Sequence, residues 1–445
     1  MLALDCGADF DPAREEEFYA ALPAHPGVVM IEPRAGAAPR IAGAKEPEPY
    51  LLRTADLRRR LERLLRIPSE PTKRLNLREF AGRVRYRLTG SAFEQSLVYY
   101  QHAREHFPRR CRDLARLRPP ALLKVNLANA YPRCYVTRRV LADGGAYFGP
   151  FPSRKAADSF ASEFLNLFKV RRCQIKIRRD PTFPGCMYSE MKMCLAPCFA
   201  GCSKEEYDVE VGRVVGFLQS SGASYTAELE REREAASEAL DYERASGVHR
   251  KIEKATHVLR GMPEIARRVE ELDAVILQAT AEESSVAVFA VHAGRIADPL
   301  LLDFNALAGQ PRSVEQIVRD HLEAQMNPSL PLGVGAVERR SDTTESKGET
   351  QRHGAGTEGT EDATQGVVSD LEELRDHLSL LARWFYSKPR AGEIFFREGR
   401  SGPRTRQGDW PYRRILRACS RVLAPQPSLP FDAKAGKPGT TDERR

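Results

Sequence analysis

The sequence predicts a multidomain α+β protein, because strand-like and helix-like segments follow one another along a chain of 445 residues. Residues 121–138 alternate apolar and polar side chains in strand fashion, and residues 270–304 are also rich in strand-forming side chains. Residues 205–262 carry apolar side chains at the spacing of long helices. A chain of this length is long enough for about two to four domains, each with its own core.

The order of these patterns divides the chain into seven segments, of which the first contains the strand-like stretch "GVVMIE" after Pro26. One insertion is almost free of large apolar side chains, so burial cannot offset the entropy cost of ordering it. We expect this insertion and the tail to be disordered. The predicted segments are a small mixed α/β domain at 23–110, a region with a cysteine-rich loop at 111–204, a helical region at 205–265, a strand-rich region at 266–334, the disordered insertion at 335–367, a helix and strand at 368–424, and a disordered tail at 425–445.

The overall charge points to an anionic partner. The net charge is +8 and the sequence pI is about 9.0, which favours nucleic acid over a membrane surface. No stretch approaches about 18 uninterrupted apolar residues, so we expect no membrane span. The acidic N-terminus lacks the basic and apolar regions of a signal peptide, which predicts a cytoplasmic protein.

Four cysteines gather in one short, loop-rich stretch, separated by 12, 7 and 3 residues. Four soft thiolates can close around one zinc ion or a four-iron cluster, and either would hold together a loop that lacks its own core. The absence of short C-x2-C pairs leans away from zinc, and Cys202 is a spare or an alternative fourth ligand. Buried cysteines without any metal are the other explanation, which we adopt for Cys6, Cys111, Cys134 and Cys419. The predicted ligands are Cys173, Cys186, Cys194 and Cys198.

A basic helix is predicted in "LLRTADLRRRLERLLR", with Asp56 in its first turn. Leu57, Leu61 and Leu64 fall at helical spacing and mark its buried side. Such a helix can bind phosphates, with an affinity that falls steeply as salt rises, or it can be a merely solvated basic face. The candidate DNA-binding residues are Arg53, Arg58, Arg59 and Arg63.

The stretch "GAYFGPFPSRKAADSFASEFLNLFKVRRC", the cysteine spacing with "KMCLAPC" and the helical segment that follows resemble the UvrC family of excinucleases, in register from about Pro26 to Pro425. The resemblance implies a role in nucleotide-excision repair and the SOS response. It also implies that the four cysteines named above hold a 4Fe-4S cluster, which we expect to be structural.

The segment "REAASEALDYERASGVHRKIEKA" is similar to the family's UVR motif, a helical hairpin that docks on the UvrB helicase. An apolar interior is expected from Ala236, Leu240, Val248 and Ile252, with the turn near "DYERAS". An ordinary coiled-coil arm that packs on its own chain is the alternative. The implied partner-binding residues are Leu240, Tyr242, Glu243 and Ala245.

The resemblance also implies a GIY-YIG nuclease domain, but several catalytic positions differ. Tyr50 and the arginine at Arg60 are retained. The other groups that the family needs are two tyrosines, a glycine, a lysine and the glutamate that binds Mg²⁺ or Mn²⁺. A valine cannot activate water as a tyrosine does, and a phenol cannot bind the metal ion as a carboxylate does. Those positions hold Val29, Leu64, Leu52, Arg53 and Tyr99, respectively.

These substitutions predict a protein that binds DNA and a UvrB-type helicase with lost or strongly reduced 3′ incision. The alternative is an active structure-specific endonuclease with a rebuilt site, in which Tyr50 and Arg60 act with Glu94 as the metal ligand. A redox-sensing iron–sulfur protein is a third possibility. We find no acidic triad and no paired hairpin motifs, so the RNase H-like and helix-hairpin-helix regions of the family are expected to be absent.

Overall fold

The structure is a computed structural model that describes residues 1–39, 46–68, 74–307, 309–326, 358–397 and 410–423. Every strand pairing in these ranges is antiparallel, and helices pack on the faces of three sheets. This mixed architecture agrees with the α+β class that the sequence predicts. In the described ranges, no helix is both long enough and apolar enough to cross a membrane.

The first sheet has the strand order β1-β4-β2-β3 and places β3 at an edge. Because β1 pairs with β4, the domain includes residues ahead of the predicted start at residue 23. The helix α2 begins after Asp56, whose carboxylate accepts a hydrogen bond from the backbone N–H of Arg59 at 2.9 Å, as an N-cap does. The elements are β1 (Cys6–Asp9), α1 (Glu15–Ala21), β2 (Gly27–Pro33), β3 (Tyr50–Thr54), α2 (Leu57–Leu65), β4 (Ala81–Leu88), α3 (Ala92–His106) and α4 (Cys111–Leu114).

The second sheet has the order β6-β5-β7-β8 and packs against a layer of helices. Phe164 lies at the centre of this core and contacts the rings of Phe160, Phe168 and Phe217 at centroid distances of 5.2–5.6 Å. The cysteine-rich loop lies between α5 and α7. The elements are β5 (Ala121–Val125), β6 (Cys134–Thr137), β7 (Ala146–Phe151), α5 (Arg154–Leu165), α6 (Met187–Glu190), α7 (Lys204–Gln219), α8 (Ala223–Glu238), α9 (Tyr242–Arg260) and β8 (Arg267–Arg268).

The third sheet has the order β11-β10-β9-β13, with β12 also paired to β10. Its strands β9 and β10 are buried on both faces, which explains their nearly continuous apolar sequences. One face packs on α11 and α13, and the other on α3 and α12. The elements are β9 (Ala274–Ala279), β10 (Ser285–His292), β11 (Arg295–Ile296), β12 (Leu300–Asp303), α10 (Phe304–Leu307), α11 (Val314–Met326), α12 (Glu358–Phe385), β13 (Glu393–Phe396) and α13 (Tyr412–Leu423).

The helix α3 packs against two sheets. Its side chains share one core with Val28 and Met30 of β2 and with the inner face of the third sheet. Phe93 packs edge-to-face on Phe289 at 5.1 Å and contacts Trp384 at 5.2 Å. The first domain is therefore packed directly onto the C-terminal sheet.

The predicted disordered insertion lies partly outside the described residues, and the predicted disordered tail lies wholly outside them. The insertion predicted at 335–367 lies outside the described residues up to residue 357, and α12 begins at Glu358. Residues 358–367 are therefore helical in the structure. The tail predicted at 425–445 lies outside the described residues.

Candidate functional site

Three of the replaced nuclease positions, Val29, Leu52 and Leu64, are core residues of the first domain. Val29 of β2 is fully buried and lies opposite Leu52 of β3 in the strand register. Leu64 of α2 is also buried in the same apolar cluster. All three side chains contribute to packing, and none offers a polar group that can activate water.

The position of the expected metal-binding glutamate lies beside a guanidinium. Tyr99 of α3 is buried, and the guanidinium carbon of Arg53 lies 5.7 Å from the centroid of its ring. Burial raises the pKa of Tyr99, while Arg53 and Arg116 lower it and Tyr50 raises it further. The structure thus brings Tyr50, Arg53 and Tyr99 together. A neutral phenol next to a fixed cation is a poor site for a divalent metal ion.

Arg60, the retained candidate catalytic arginine, lies half-buried on α2. Its Nε atom is buried, and no hydrogen-bond partner for it is found in the part of the chain that the structure describes. An unpaired buried guanidinium nitrogen carries a desolvation cost.

Glu94, the alternative metal ligand, is occupied in capping its own helix. It is buried in the first turn of α3 and accepts a hydrogen bond from the backbone N–H of Gly90 at 3.0 Å. Its other carboxylate oxygen lies 3.5 Å from Nε of Arg87. Burial raises its pKa, although the Gly90 hydrogen bond and the Arg87 charge lower it. These contacts favour a structural role at the helix terminus.

The predicted DNA-binding arginines of α2 separate into two groups. Arg58 donates from Nε to the backbone carbonyl of Leu22 at 2.6 Å, which ties α2 to the end of α1. Arg59 and Arg63 are exposed on the surface. The contacts indicate a structural role for Arg58 and leave Arg59 and Arg63 accessible to a ligand.

Sequence inspection missed a cluster of arginines around Arg53, which we call the arginine cluster: Arg53, Arg116, Arg118 and Arg383. Arg383 of α12 donates to the backbone carbonyls of Ala115, at 3.1 Å, and of Arg116. Burial, followed by the positive charges of Arg53, Arg118 and Arg116, lowers the pKa of Arg383 to about 10. These residues come from β3, the loop after α4 and the end of α12, so no local spacing could reveal the cluster.

The four predicted cysteine ligands are neighbours in space. Burial is the main cause that raises the pKa of Cys194 to about 11, and the charges of Cys173, Cys186 and Cys198 raise it further. Cys202 is buried in the second core and is influenced by Cys198 alone among the cysteines. The arrangement therefore favours the predicted four over a set that includes Cys202.

Zinc and a four-iron cluster require different distances between the four cysteine sulfurs. Among the described residues, no three cysteine sulfurs lie within 4.8 Å of one another. Tetrahedral zinc with bonds of about 2.3 Å would hold its sulfurs roughly 3.8 Å apart, whereas a four-iron cluster places each thiolate on a different iron. The backbone N–H of Ala196 lies 3.3 Å from Sγ of Cys194, and Nη1 of Arg171 lies 4.0 Å from Sγ of Cys173. Such donors stabilise thiolates, so the residues fit a metal centre bound through thiolate sulfur.

The predicted hairpin is formed by α8 and α9, and its turn lies at residues 239–241, just before the predicted place. Ala236 and Val248 are buried in the hairpin as predicted. Leu240 is not part of the interior: it adopts a left-handed conformation, with φ of 59°, and 69% of its surface is exposed. Tyr242 is 68% exposed beside it. Glu243 is also exposed and Ala245 is half-buried, so three of the four predicted partner-binding residues form an exposed hairpin tip: Leu240, Tyr242 and Glu243.

Comparison with known proteins connects these features to one family. Residues 121–217 match the family model of the UvrC/Cho excinuclease, middle domain. This range contains β5, β6, β7, α5, the four predicted cysteine ligands and most of α7. The chain therefore contains a middle domain of the UvrC family.

The curated relatives within the UvrC family are UvrABC system C proteins. The chain is 28% identical to that of Dehalococcoides mccartyi strain BAV1 over 278 residues, which is 62% of this chain and 44% of the relative. It is 26% identical to the Moorella thermoacetica protein over 281 residues, 63% of this chain and 44% of the relative. The Ruminiclostridium cellulolyticum protein is 32% identical over 176 residues, 39% of this chain and 28% of the relative. The chain thus spans less than half the length of these UvrC relatives, and no solved structure matches it.

Proposed function

We propose that this chain is a component of nucleotide-excision repair that binds DNA and a UvrB-type helicase but has lost most or all of its 3′ incision activity. The observation that carries the proposal is the guanidinium of Arg53 above the ring of Tyr99, at the position where the family resemblance implies a metal-binding glutamate. Mg²⁺ or Mn²⁺ would be required only by an active nuclease.

The loss of incision follows from the chemistry of phosphodiester cleavage. A nuclease of this kind needs a divalent metal ion to stabilise the developing charge and a polar group to orient the attacking water. Tyr99 is buried beside a cation, and Val29 is enclosed in the core. Tyr50 and Arg60 alone cannot replace both missing functions.

DNA binding does not need those missing groups. The arginine cluster gathers positive charge from three separate elements, and burial together with the charges of the other members lowers the pKa of Arg383. A phosphate placed among them would offset these like charges and release counterions from the DNA. Arg59 and Arg63 extend the positive surface along α2.

The experiment that tests this proposal combines DNA binding with strand cleavage. Replacing Arg53 and Arg118 together with glutamine is expected to weaken binding to duplex DNA by roughly tenfold and to reduce the slope of log K against log salt by about 1.8, since each phosphate contact contributes about 0.9. The matched control replaces Arg231 and Arg233, two exposed arginines of α8, and removes the same charge. If both pairs of substitutions weakened binding equally, DNA binding would depend only on overall charge. That result would contradict a specific role for the arginine cluster.

The same preparation should leave a lesion-bearing duplex uncut when Mg²⁺ or Mn²⁺ and a cognate UvrB are supplied. Cleavage on the 3′ side that Arg60→Ala abolishes would show that the nuclease is active and would establish the alternative function, a structure-specific endonuclease.

The hairpin tip supports docking on a UvrB-type helicase. Replacing Leu240 or Tyr242 with serine is expected to change the free energy of unfolding by less than about 0.5 kcal/mol, because both side chains are mostly exposed. Affinity for the helicase should fall by roughly tenfold or more, as expected when an apolar anchor is lost. Titration calorimetry measures the affinity, and Val209→Ser, at a 67% exposed position of α7, is the control. Unchanged affinity in both tip variants would remove the hairpin from the interface.

The four-cysteine loop is proposed to hold a 4Fe-4S cluster through Cys173, Cys186, Cys194 and Cys198, with zinc as the alternative. The spacing of the four cysteines along the sequence and the influence of the other three on Cys194 support the cluster. When bound, the cluster supplies a covalent cross-link among four points of a loop with few buried side chains. We assign it a structural role.

A further inference from the structure

The last turns of α3 bring together His102, Glu105 and His106. Glu105 and His106 lie three and four residues after His102, so both are neighbours of His102 on the helix surface. One ligand atom from each lies within 4.8 Å of the other two. Oε2 of Glu105 is 3.7 Å from Nδ1 of His102 and 3.5 Å from Nε2 of His106.

The protonation of His102 is fixed by its environment. Nε2 lies 2.9 Å from the backbone carbonyl oxygen of Leu2, which can only accept a hydrogen bond, so Nε2 carries the proton. Nδ1 therefore presents a lone pair. The side chain is only 2% exposed, and Nδ1 has no hydrogen-bond partner.

A buried imidazole with one N–H bound to a backbone carbonyl and a free lone pair on the other nitrogen is the usual state of a metal-ligating histidine. The distances agree with this interpretation. Hydrogen bonds to nitrogen span about 2.7–3.2 Å, and both separations from Glu105 are longer. Two ligands that bind one tetrahedral ion at about 2.0–2.2 Å lie roughly 3.4 Å apart.

We propose that Nδ1 of His102, the carboxylate of Glu105 and Nε2 of His106 bind a divalent transition-metal ion, Zn²⁺ in the first place, with water as the fourth ligand. Two imidazoles and one carboxylate favour zinc over magnesium or calcium, which prefer sites made entirely of oxygen. Glu105 also lines an open cleft beside Tyr100 and Asp298, so its carboxylate can be reached from solvent.

The ion would stabilise the attachment of the N-terminal residues to α3. The ligand His102 is hydrogen-bonded to the Leu2 carbonyl, and the Leu2 N–H donates to Oε1 of Gln101 at 2.9 Å. The N-terminal ammonium group of Met1 lies 2.6 Å from Asp298, which follows β11. A metal that binds only the folded state raises the melting temperature in proportion to the logarithm of its concentration. This site is independent of DNA binding and of the cysteine loop.

The experiment measures Zn²⁺ and Co²⁺ bound to the full chain. We expect one Co²⁺ per chain whose spectrum has ligand-field bands but no thiolate charge-transfer band, which distinguishes this site from the cysteines. His106→Ala and Glu105→Gln should weaken that ion by more than roughly tenfold and remove the increase in melting temperature caused by Zn²⁺. The control variants His249→Ala and Glu253→Gln alter an exposed pair on α9 with a similar spacing of 3.7 Å and should behave as wild type.

Nitrogen NMR of the histidine rings gives a second measurement that does not depend on the variants. Zn²⁺ should shift Nδ1 of His102 and Nε2 of His106 and leave His249 unchanged. The proposal would be overturned if all bound Co²⁺ showed a thiolate charge-transfer band. It would also be overturned if the His106→Ala variant bound the metal as tightly as the wild type.

Discussion

Replacing Cys194 with serine is expected to abolish iron binding and to destabilise the loop between α5 and α7. The loop contains only short helical turns, and Ala196 and Ala200 adopt left-handed conformations with φ of 56° and 62°. Such conformations cost roughly 1–2 kcal/mol each in residues other than glycine, so we expect the loop to depend on the proposed cluster for its stability. We expect a loss of about 3 kcal/mol or more in the free energy of unfolding.

Iron analysis, visible absorbance and limited proteolysis of anaerobically purified protein measure this effect. Cys202→Ser is the matched control, because Cys202 lies next to the loop but packs in the second core. It should retain the iron, with a cost of about 1 kcal/mol from burying a hydroxyl group. Retained iron in Cys194→Ser, or its loss in Cys202→Ser, would contradict the ligand set. Zinc in place of iron in the wild-type protein would establish the alternative metal.

Phe93→Ala is expected to lower the free energy of unfolding by about 3–5 kcal/mol, since it removes a buried ring and leaves a cavity. Phe93 is 3% exposed and contacts Phe289 and Trp384 across the boundary between the first domain and the third sheet. Chemical denaturation measures the loss, and hydrogen exchange should show faster opening along α3 than along α7, which lies in a different core.

Phe93→Leu serves as the control, because it keeps most of the volume and should cost less than about 1.5 kcal/mol. If Phe93→Ala were no more destabilising than Phe93→Leu, the ring contacts across this boundary would contribute little to stability. That result would indicate that the first domain folds independently of the third sheet.

Local features of the sequence predicted local structure well. The Asp56 N-cap and the buried positions Leu57, Leu61 and Leu64 are confirmed, because both depend on side chains within one helix. The helices α8 and α9 also follow the predicted apolar spacing. Leu240 was placed in the hairpin interior, but the chain reverses at that residue and exposes it. Leu240 continues the apolar spacing of α8, so only the position of the turn shows that it lies outside the hairpin interior.

Features that depend on distant residues could not be predicted. The pairing of β1 with β4 joins segments about seventy-five residues apart, and no turn signal connects them. The capping role of Glu94 depends on the backbone of Gly90, and the role of Arg58 depends on the carbonyl of Leu22. The spacing of His102, Glu105 and His106 is visible in the sequence. The free lone pair on Nδ1 is not, because it requires the Leu2 carbonyl.

The helix α3 packs in one core with strands of both the first and the third sheet. Tyr99 faces Arg53, whereas Phe93 on the same helix faces the third sheet. A substitution at Tyr99 changes the surroundings of Arg53 within a core that α3 shares with the third sheet. Removing the whole first domain would instead strip one wall from the C-terminal sheet and expose Phe289 and Ile276 to water. The packing of α3 is thus a reason to retain the first domain that is separate from any reaction it performs.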